Sequence, residues 1–88
     1  MITRDFVVEN KLGLHARPAA VFVQTTHKFV SNIRVQKDGQ EVDGKSIMGI
    51  LTLAAERGSK LTITAEGPDE EALLNRLDEL FKQKFDEE

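Results

Sequence analysis

The chain contains no cysteine, no tryptophan and no tyrosine, and only two prolines in 88 residues. Without cysteine there is no disulfide framework, no thiolate metal site and no thiol nucleophile, so any chemistry belongs to other side chains. Apolar runs reach only about five residues, against the roughly 20 that span a bilayer, and the opening Met1-Ile2-Thr3-Arg4-Asp5 carries no secretory hydrophobic stretch. A cytoplasmic protein with no membrane insertion is therefore expected. Positive charge is also scarce: 12 Lys and Arg against 15 Asp and Glu leave a net charge of −3, and phenylalanine is the one aromatic type present. Nucleic-acid binders normally carry a basic surface and stacking aromatics, so that class is disfavoured. The two histidines stand twelve positions apart and the acidic residues do not follow a calcium-loop spacing, so neither a metal nor a cofactor is expected.

What remains is a globular composition, 40% hydrophobic and 31% charged. A chain of this length makes one domain, residues 1–88, able to bury roughly 60–70% of its unfolded surface. Residues from about Ile2 to Val8 read as a strand, with Phe6 and Val8 on one face. A loop from Asn10 to Leu14 leads into a helix that begins at His15 and runs to about Lys28, with Ala19, Phe22, Val23 and Thr26 turned inward. Ile33 and Val35 alternate with Arg34 and Gln36, and Asp38-Gly39 is a hairpin signal before the strand Gln40 to Asp43. Ser46 is placed to cap a second helix that Gly58 would stop, and Lys60 to Glu66 alternate in the strand period. Asp69 is placed to cap a last helix carrying Leu73, Leu77, Leu80, Phe81 and Phe85, and the acidic tail Asp86-Glu87-Glu88 is expected to fray.

The order is βαββαβα. A helical crossover makes the first two strands parallel, the hairpin reverses the third, and a second crossover aligns the fourth with the third, so the fourth fits between the first two. With right-handed crossovers the expectation is an α+β protein of the α/β group: an open-faced β-sandwich, with three helices on one face of a four-stranded antiparallel sheet.

The segment Gly13-Leu14-His15-Ala16-Arg17-Pro18-Ala19-Ala20 places a histidine where the loop becomes a helix. Gly13 lets the backbone turn, and Pro18 falls in the first helical turn, where its missing N–H breaks no intrahelical bond. Unpaired N–H groups of a helix start attract anions, and Arg17 adds a permanent cation two residues on. A free imidazole titrates near pH 6.5, so a neutral nucleophilic nitrogen is available at cellular pH. An isolated histidine at a helix start is usually a spectator; here the neighbours form a phosphate-sized cradle.

Together with Lys45-Ser46-Ile47-Met48-Gly49, about thirty residues later, this motif resembles the histidine-containing phosphocarrier (HPr) family of the bacterial phosphoenolpyruvate-dependent sugar phosphotransferase system. The likeness covers the whole chain in length, element order and both motif positions. It implies a covalent relay. A phosphoryl group passes from phosphoenolpyruvate-charged Enzyme I to Nδ1 of His15, with Arg17 as its electrostatic partner, and onward to sugar-specific IIA components. Such a carrier works with Enzyme I and is not a stand-alone enzyme. Leu12 departs from the pattern, since many relatives carry a small polar residue there, so one supporting side-chain contact to phosphate is expected to be missing.

The resemblance also implies that Ser46 is modified by an ATP-dependent HPr kinase/phosphorylase, weakening uptake from Enzyme I, and that the modified form can bind a catabolite-control transcription regulator. In the second helix Ile50, Leu53 and Ala54 suit burial, while Ile47, Met48 and Leu51 lie on the opposite side and are expected to be exposed near Leu14. The docking surface read from the sequence comprises Leu14, Ala16, Ala20, Gln24, Ile47, Met48 and Leu51, with Arg17, Lys45 and Lys28 as its positive charges. Gln24 and His27 stand where several relatives carry lysine, which points to weaker electrostatic steering. Gly49, costly in a helix, points to a close approach of something on that face or to simple sequence drift. A monomer is the simplest expectation for a carrier that presents one face to successive partners. The alternative within the resemblance is a regulatory paralogue in catabolite control or in a nitrogen-related branch. An independent histidine phosphohydrolase lacks a second placed acid and a substrate pocket.

Overall fold

A computed structural model describes residues 1–87. Its elements are β1 (Ile2–Val7), α1 (Ala16–Thr26), β2 (Asn32–Lys37), β3 (Gln40–Asp43), α2 (Ile47–Thr52), β4 (Lys60–Glu66) and α3 (Glu70–Lys82). The sheet order is β1-β4-β2-β3 with every neighbouring pair antiparallel, as the connection rules required.

Period-two alternation decides which face of the sheet is dry. Leu61, Ile63 and Ala65 of β4 are buried, as are Ile33 and Val35 of β2 and Phe6 of β1. The residues between them turn to the open face, where Thr3 and Thr64 share a hydrogen bond of 3.0 Å and Thr62 donates to Asp5 at 2.9 Å. Arg4 shares the inner side of β1 at the sheet edge, and its guanidinium reaches out to Asp78 of α3 at 2.7 Å. Ala19 and Phe22 of α1, Ile50 of α2, and Leu73, Leu74, Leu77, Leu80 and Phe81 of α3 complete the core. Phe81 packs there against two other rings, its centroid 4.8 Å from Phe6 and 6.3 Å from Phe22.

Several boundaries differ from the sequence reading. α1 ends at Thr26, not Lys28, because the chain there ties itself to the start of α2: Thr26 Oγ1 donates to the Gly44 carbonyl at 2.9 Å. Val23, expected inside, is only half-buried. α2 is short and stops at Thr52, well before Gly58; Ala54 then takes a left-handed φ of 49° and is exposed, and Ala55 is buried in its place. The cause is tertiary. Residues 55–59 pair with the end of β1 and the loop after it, through Leu14 N–H to the Ala55 carbonyl at 2.9 Å, Gly58 N–H to Val8 at 2.8 Å and Val8 N–H to Ser59 at 2.9 Å. These bonds are incompatible with helix continuation.

At the last helix Asp69 occupies the cap position without capping it. Its carboxylate instead accepts the Val30 and Ser31 N–H groups, both at 3.0 Å, and the Ser31 hydroxyl, while Glu70 accepts the Gly67 N–H at 3.0 Å. α3 ends at Lys82, and a left-handed turn follows with φ of 52°, 54° and 61° at Lys84, Phe85 and Asp86. That reversal folds Phe85 back onto Phe81, with centroids 5.0 Å apart, and buries it. Asp86 and Glu87 are docked and not frayed: their N–H groups bond the carbonyls of Gln83 and Lys84. The expectation for Glu88 lies outside the described residues. No described helix is long and apolar enough to cross a membrane.

Candidate functional site

His15 is the N-cap residue of α1, with extended backbone angles (φ −75°, ψ −168°), and its carbonyl accepts the Ala19 N–H at 3.0 Å. Its position follows from the loop before it. Gly13 has φ +72° and lies so close to the Ala55 carbonyl that no side chain fits between them. Gly13 N–H bonds the Asn10 carbonyl at 3.0 Å, and Leu14 N–H bonds the Ala55 carbonyl. The backbone of residues 10–14 is thus pinned on both sides of the turn that delivers His15 to the helix. Pro18 sits in the first turn and is buried.

The His15 side chain makes no capping hydrogen bond at the start of α1, and no acidic residue lies in the helix's first turn. The N-terminal N–H groups therefore keep an anion-binding character beside the imidazole, which is 38% exposed. Arg17 is exposed on the same turn. The arrangement has a nucleophilic ring, helix-start donors and a guanidinium within one turn of backbone, which suits transient attachment of a phosphoryl group.

One partner of the ring had no signal in the sequence. His15 Nε2 and Glu87 Oε2 are 2.6 Å apart, and the other oxygen of that carboxylate accepts from Asn10 Nδ2 at 2.9 Å. Asn10 is buried; its amide also donates to the Lys84 carbonyl at 2.8 Å, while its Oδ1 has no partner among the described residues. The Asn10 hydrogen bond is the main cause holding the Glu87 carboxyl below the ordinary carboxylate range, and the His15 ring and the Arg17 charge act in the same direction. Residues 72 positions apart carry no local pattern, so only the folded chain reveals the pair.

Leu14, expected on the docking surface, is a core residue at 3% exposure, because its N–H anchors it to the Ala55 strand-like segment and its side chain follows the backbone inward. Ala16 and Gln24 are exposed, and Ala20 is half-buried. Met48 is 68% and Ile47 39% exposed, and Leu51 is half-buried against the core. A shallow depression of about 270 Å³ joins His15 to Leu12, Leu51, Ala54 and Glu56. A larger hollow of about 530 Å³ on the open sheet face, among Thr3, Arg34, Asp43 and Thr64, contains no residue of either motif.

Ser46 is the N-cap of α2, its Oγ accepting the Gly49 N–H at 3.1 Å. A Cβ on Gly49 would stand 3.1 Å from Val42 Cβ, so β3 makes a close approach there. Lys45 is not an open docking charge either: its ammonium donates to the Phe29 carbonyl at 2.8 Å. His27 is exposed, with Nε2 2.9 Å from the Lys45 carbonyl. Among the described residues, no group of histidine and acidic side chains is arranged to hold a metal ion.

Residues 2–83 match the family described as "PTS HPr component phosphorylation site". The phosphocarrier protein HPr of Treponema pallidum is 46% identical over 88 residues, covering all of both chains. The HPr-like protein Crh of Bacillus subtilis is 44% identical over 77 residues, covering 88% of this chain and 91% of Crh. Among solved structures, HPr-C-His from Thermoanaerobacter tengcongensis superposes with a TM-score of 0.96 at 49% identity, covering 100% of this chain and 99% of that one.

Proposed function

Because this chain belongs to the PTS HPr family of phosphocarriers, we propose that His15 is the residue through which it relays a phosphoryl group from Enzyme I to IIA components. As a phosphocarrier it works with Enzyme I and is not a stand-alone enzyme. The observation that carries the assignment of the residue is the partly exposed imidazole at the start of α1, where the His15 side chain makes no capping hydrogen bond, with Arg17 on the same turn. In the transfer, the Nδ1 lone pair forms a bond to phosphorus as the bond to the donor breaks, its electron pair leaving with the donor. Negative charge then sits against the N–H groups of Ala16 and Arg17. That stabilisation stays moderate, as a carrier must release what it binds.

Docking is assigned to the strip of exposed Ala16, Gln24, Ile47 and Met48 and half-buried Ala20, with Leu51 at its floor. Leu14 supports this strip from beneath. Ser46, at the edge of the strip, is proposed as the target of an ATP-dependent HPr kinase/phosphorylase, the modified form being read by a catabolite-control regulator. A monomeric, single-domain protein of the cytoplasm fits this use. The similarity to Crh supports a second reading, a regulatory paralogue in which Ser46 acts and His15 does not. Incubation with phosphoenolpyruvate and Enzyme I separates the two. The carrier reading expects an acid-labile phosphoryl group that is absent in His15→Ala and is discharged by a IIA component; a native protein that never becomes labelled refutes it.

A further inference from the structure

Glu87 belongs to no motif, yet its carboxylate bridges the buried Asn10 amide and the His15 ring. We propose that Glu87 is a positioning residue for phosphoryl uptake: it accepts the Nε2–H of His15 and so holds the neutral ring in the tautomer whose Nδ1 lone pair is free to attack. The inference rests on the phosphocarrier reading of His15 given above.

Three features make the contact a built one. The carboxylate is itself anchored, because Asn10 is 1% exposed and donates to both Glu87 and the Lys84 carbonyl. The backbone that carries it is fixed by the left-handed turn 84–86 and by Phe85, which is buried against Phe81. And Glu87 is shielded, its side chain only 14% exposed. A neutral imidazole has one N–H and one lone pair, so an ionised acceptor at Nε2 places the proton there and the lone pair at Nδ1. On attack, Nδ1 bonds to phosphorus, the donor bond breaks toward the donor, and the proton stays on Nε2. The ring gains positive charge as it does so, and the carboxylate already faces it. On discharge to an acceptor the same charge is given up and the tautomer is restored. Among the described residues, the charged groups around the ring are Glu87 from the C-terminal turn, Arg17 from α1 and Glu56, which lines the same depression as the ring.

Two substitutions separate the hydrogen bond from its charge in the full-length chain. Glu87→Ala removes both, whereas Glu87→Gln keeps an acceptor oxygen without the charge. ¹⁵N spectra of the His15 ring, taken above the range where imidazole titrates, are expected to show almost purely Nε2–H in the native protein and in Glu87→Gln, and a mixture in Glu87→Ala. Single-turnover transfer from phosphoenolpyruvate-charged Enzyme I is expected to slow about tenfold in Glu87→Ala with KM unchanged, the scale of one hydrogen bond to a charged group. Glu87→Gln is expected to fall between. A native tautomer ratio in Glu87→Ala overturns the proposal, as does a loss confined to KM, which would make the tail a docking contact. Should native protein take up no phosphoryl group, the carrier reading falls, while the ring spectra still decide whether Glu87 sets the tautomer.

Discussion

Gly13→Ala tests whether the loop before α1 is what places the histidine. Gly13 has φ +72°, and a Cβ there would lie far inside contact distance of the Ala55 carbonyl oxygen and 3.0 Å from Glu56 Cα. The left-handed conformation alone costs a non-glycine residue about 1 kcal/mol. Both neighbours are backbone atoms and cannot rotate away, so the strand-like segment must move, and the Leu14–Ala55 hydrogen bond with it, for about another 1–2 kcal/mol. The sum of about 2–3 kcal/mol corresponds to a fall in Tm of roughly 8–24 °C for a domain this size. Gly39→Ala is the control, because Gly39 has φ +84° but nothing within 4 Å of a built Cβ. It carries the conformational cost alone, a fall of roughly 4–8 °C. Thermal unfolding by circular dichroism reads both, and phosphoryl uptake from Enzyme I should drop in Gly13→Ala only. Equal falls in Tm for the two variants would refute the steric argument.

Ser46→Ala should lower stability by about 1 kcal/mol by removing the Gly49 N–H acceptor, whereas Ser46→Asp should retain it; chemical denaturation compares them. Phe85→Ala should cost about 3 kcal/mol and free the C-terminal turn from Phe81, seen as a lower denaturation midpoint and as faster amide exchange at Glu87. Asp69 is held below its ordinary value of 3.8, chiefly by the Ser31 hydroxyl and then by the Val30 N–H. A carboxyl lowered by folding contributes stability that is fully present above the unfolded value and is lost as pH falls through the folded one. Asp69→Asn should therefore be less stable than native at neutral pH, with the difference closing toward acid, in denaturation curves taken between roughly pH 6 and pH 2.

Local pattern was legible wherever one element's own residues decide its fate. β4 could be read to the residue, because Leu61, Ile63 and Ala65 alternate with polar neighbours and the strand is central, wet on one side only. The Asp38-Gly39 turn, with φ of 51° and 84°, was legible for the same reason: two residues with positive φ suffice. α2 was not, since its end is set by hydrogen bonds between residues 55–59 and a stretch about forty to fifty positions earlier. Asp69 carries the sequence signature of a cap but spends its carboxylate on Val30 and Ser31, which local propensity cannot foresee. The site divides along the same line. His15, Arg17 and Ser46 lie in contiguous motifs, whereas Leu14 looked exposed until Ala55 bonded it, and Glu87 became visible only when α3 delivered the tail to α1.

Where Ser46 lies relative to His15 fixes how a phosphate there can act. Thr26 and His27, at the C-terminal end of α1, bond Gly44 and Lys45 beside Ser46, while Leu51 and Ala54 lie by His15 at the other end. α2 therefore runs antiparallel to α1, and the 11 residues of α1 separate the two sites by about 16 Å. A phosphoserine charge of about −2 at that distance acts on the ring with only about 0.5 kcal/mol in water, and two Debye lengths of physiological salt reduce this several-fold. Direct electrostatics is too weak to silence the imidazole, so inhibition must act through a partner that spans the strip from Ser46 to His15. In the proposed reading, phosphorylation at Ser46 raises KM for Enzyme I and steepens its salt dependence, while spontaneous hydrolysis of phosphorylated His15 keeps its native rate. Transfer assays across ionic strength, with hydrolysis followed in the same samples, decide the point. A kcat loss at unchanged KM, or altered hydrolysis in the absence of Enzyme I, would mean that the charge reaches the ring through the fold itself.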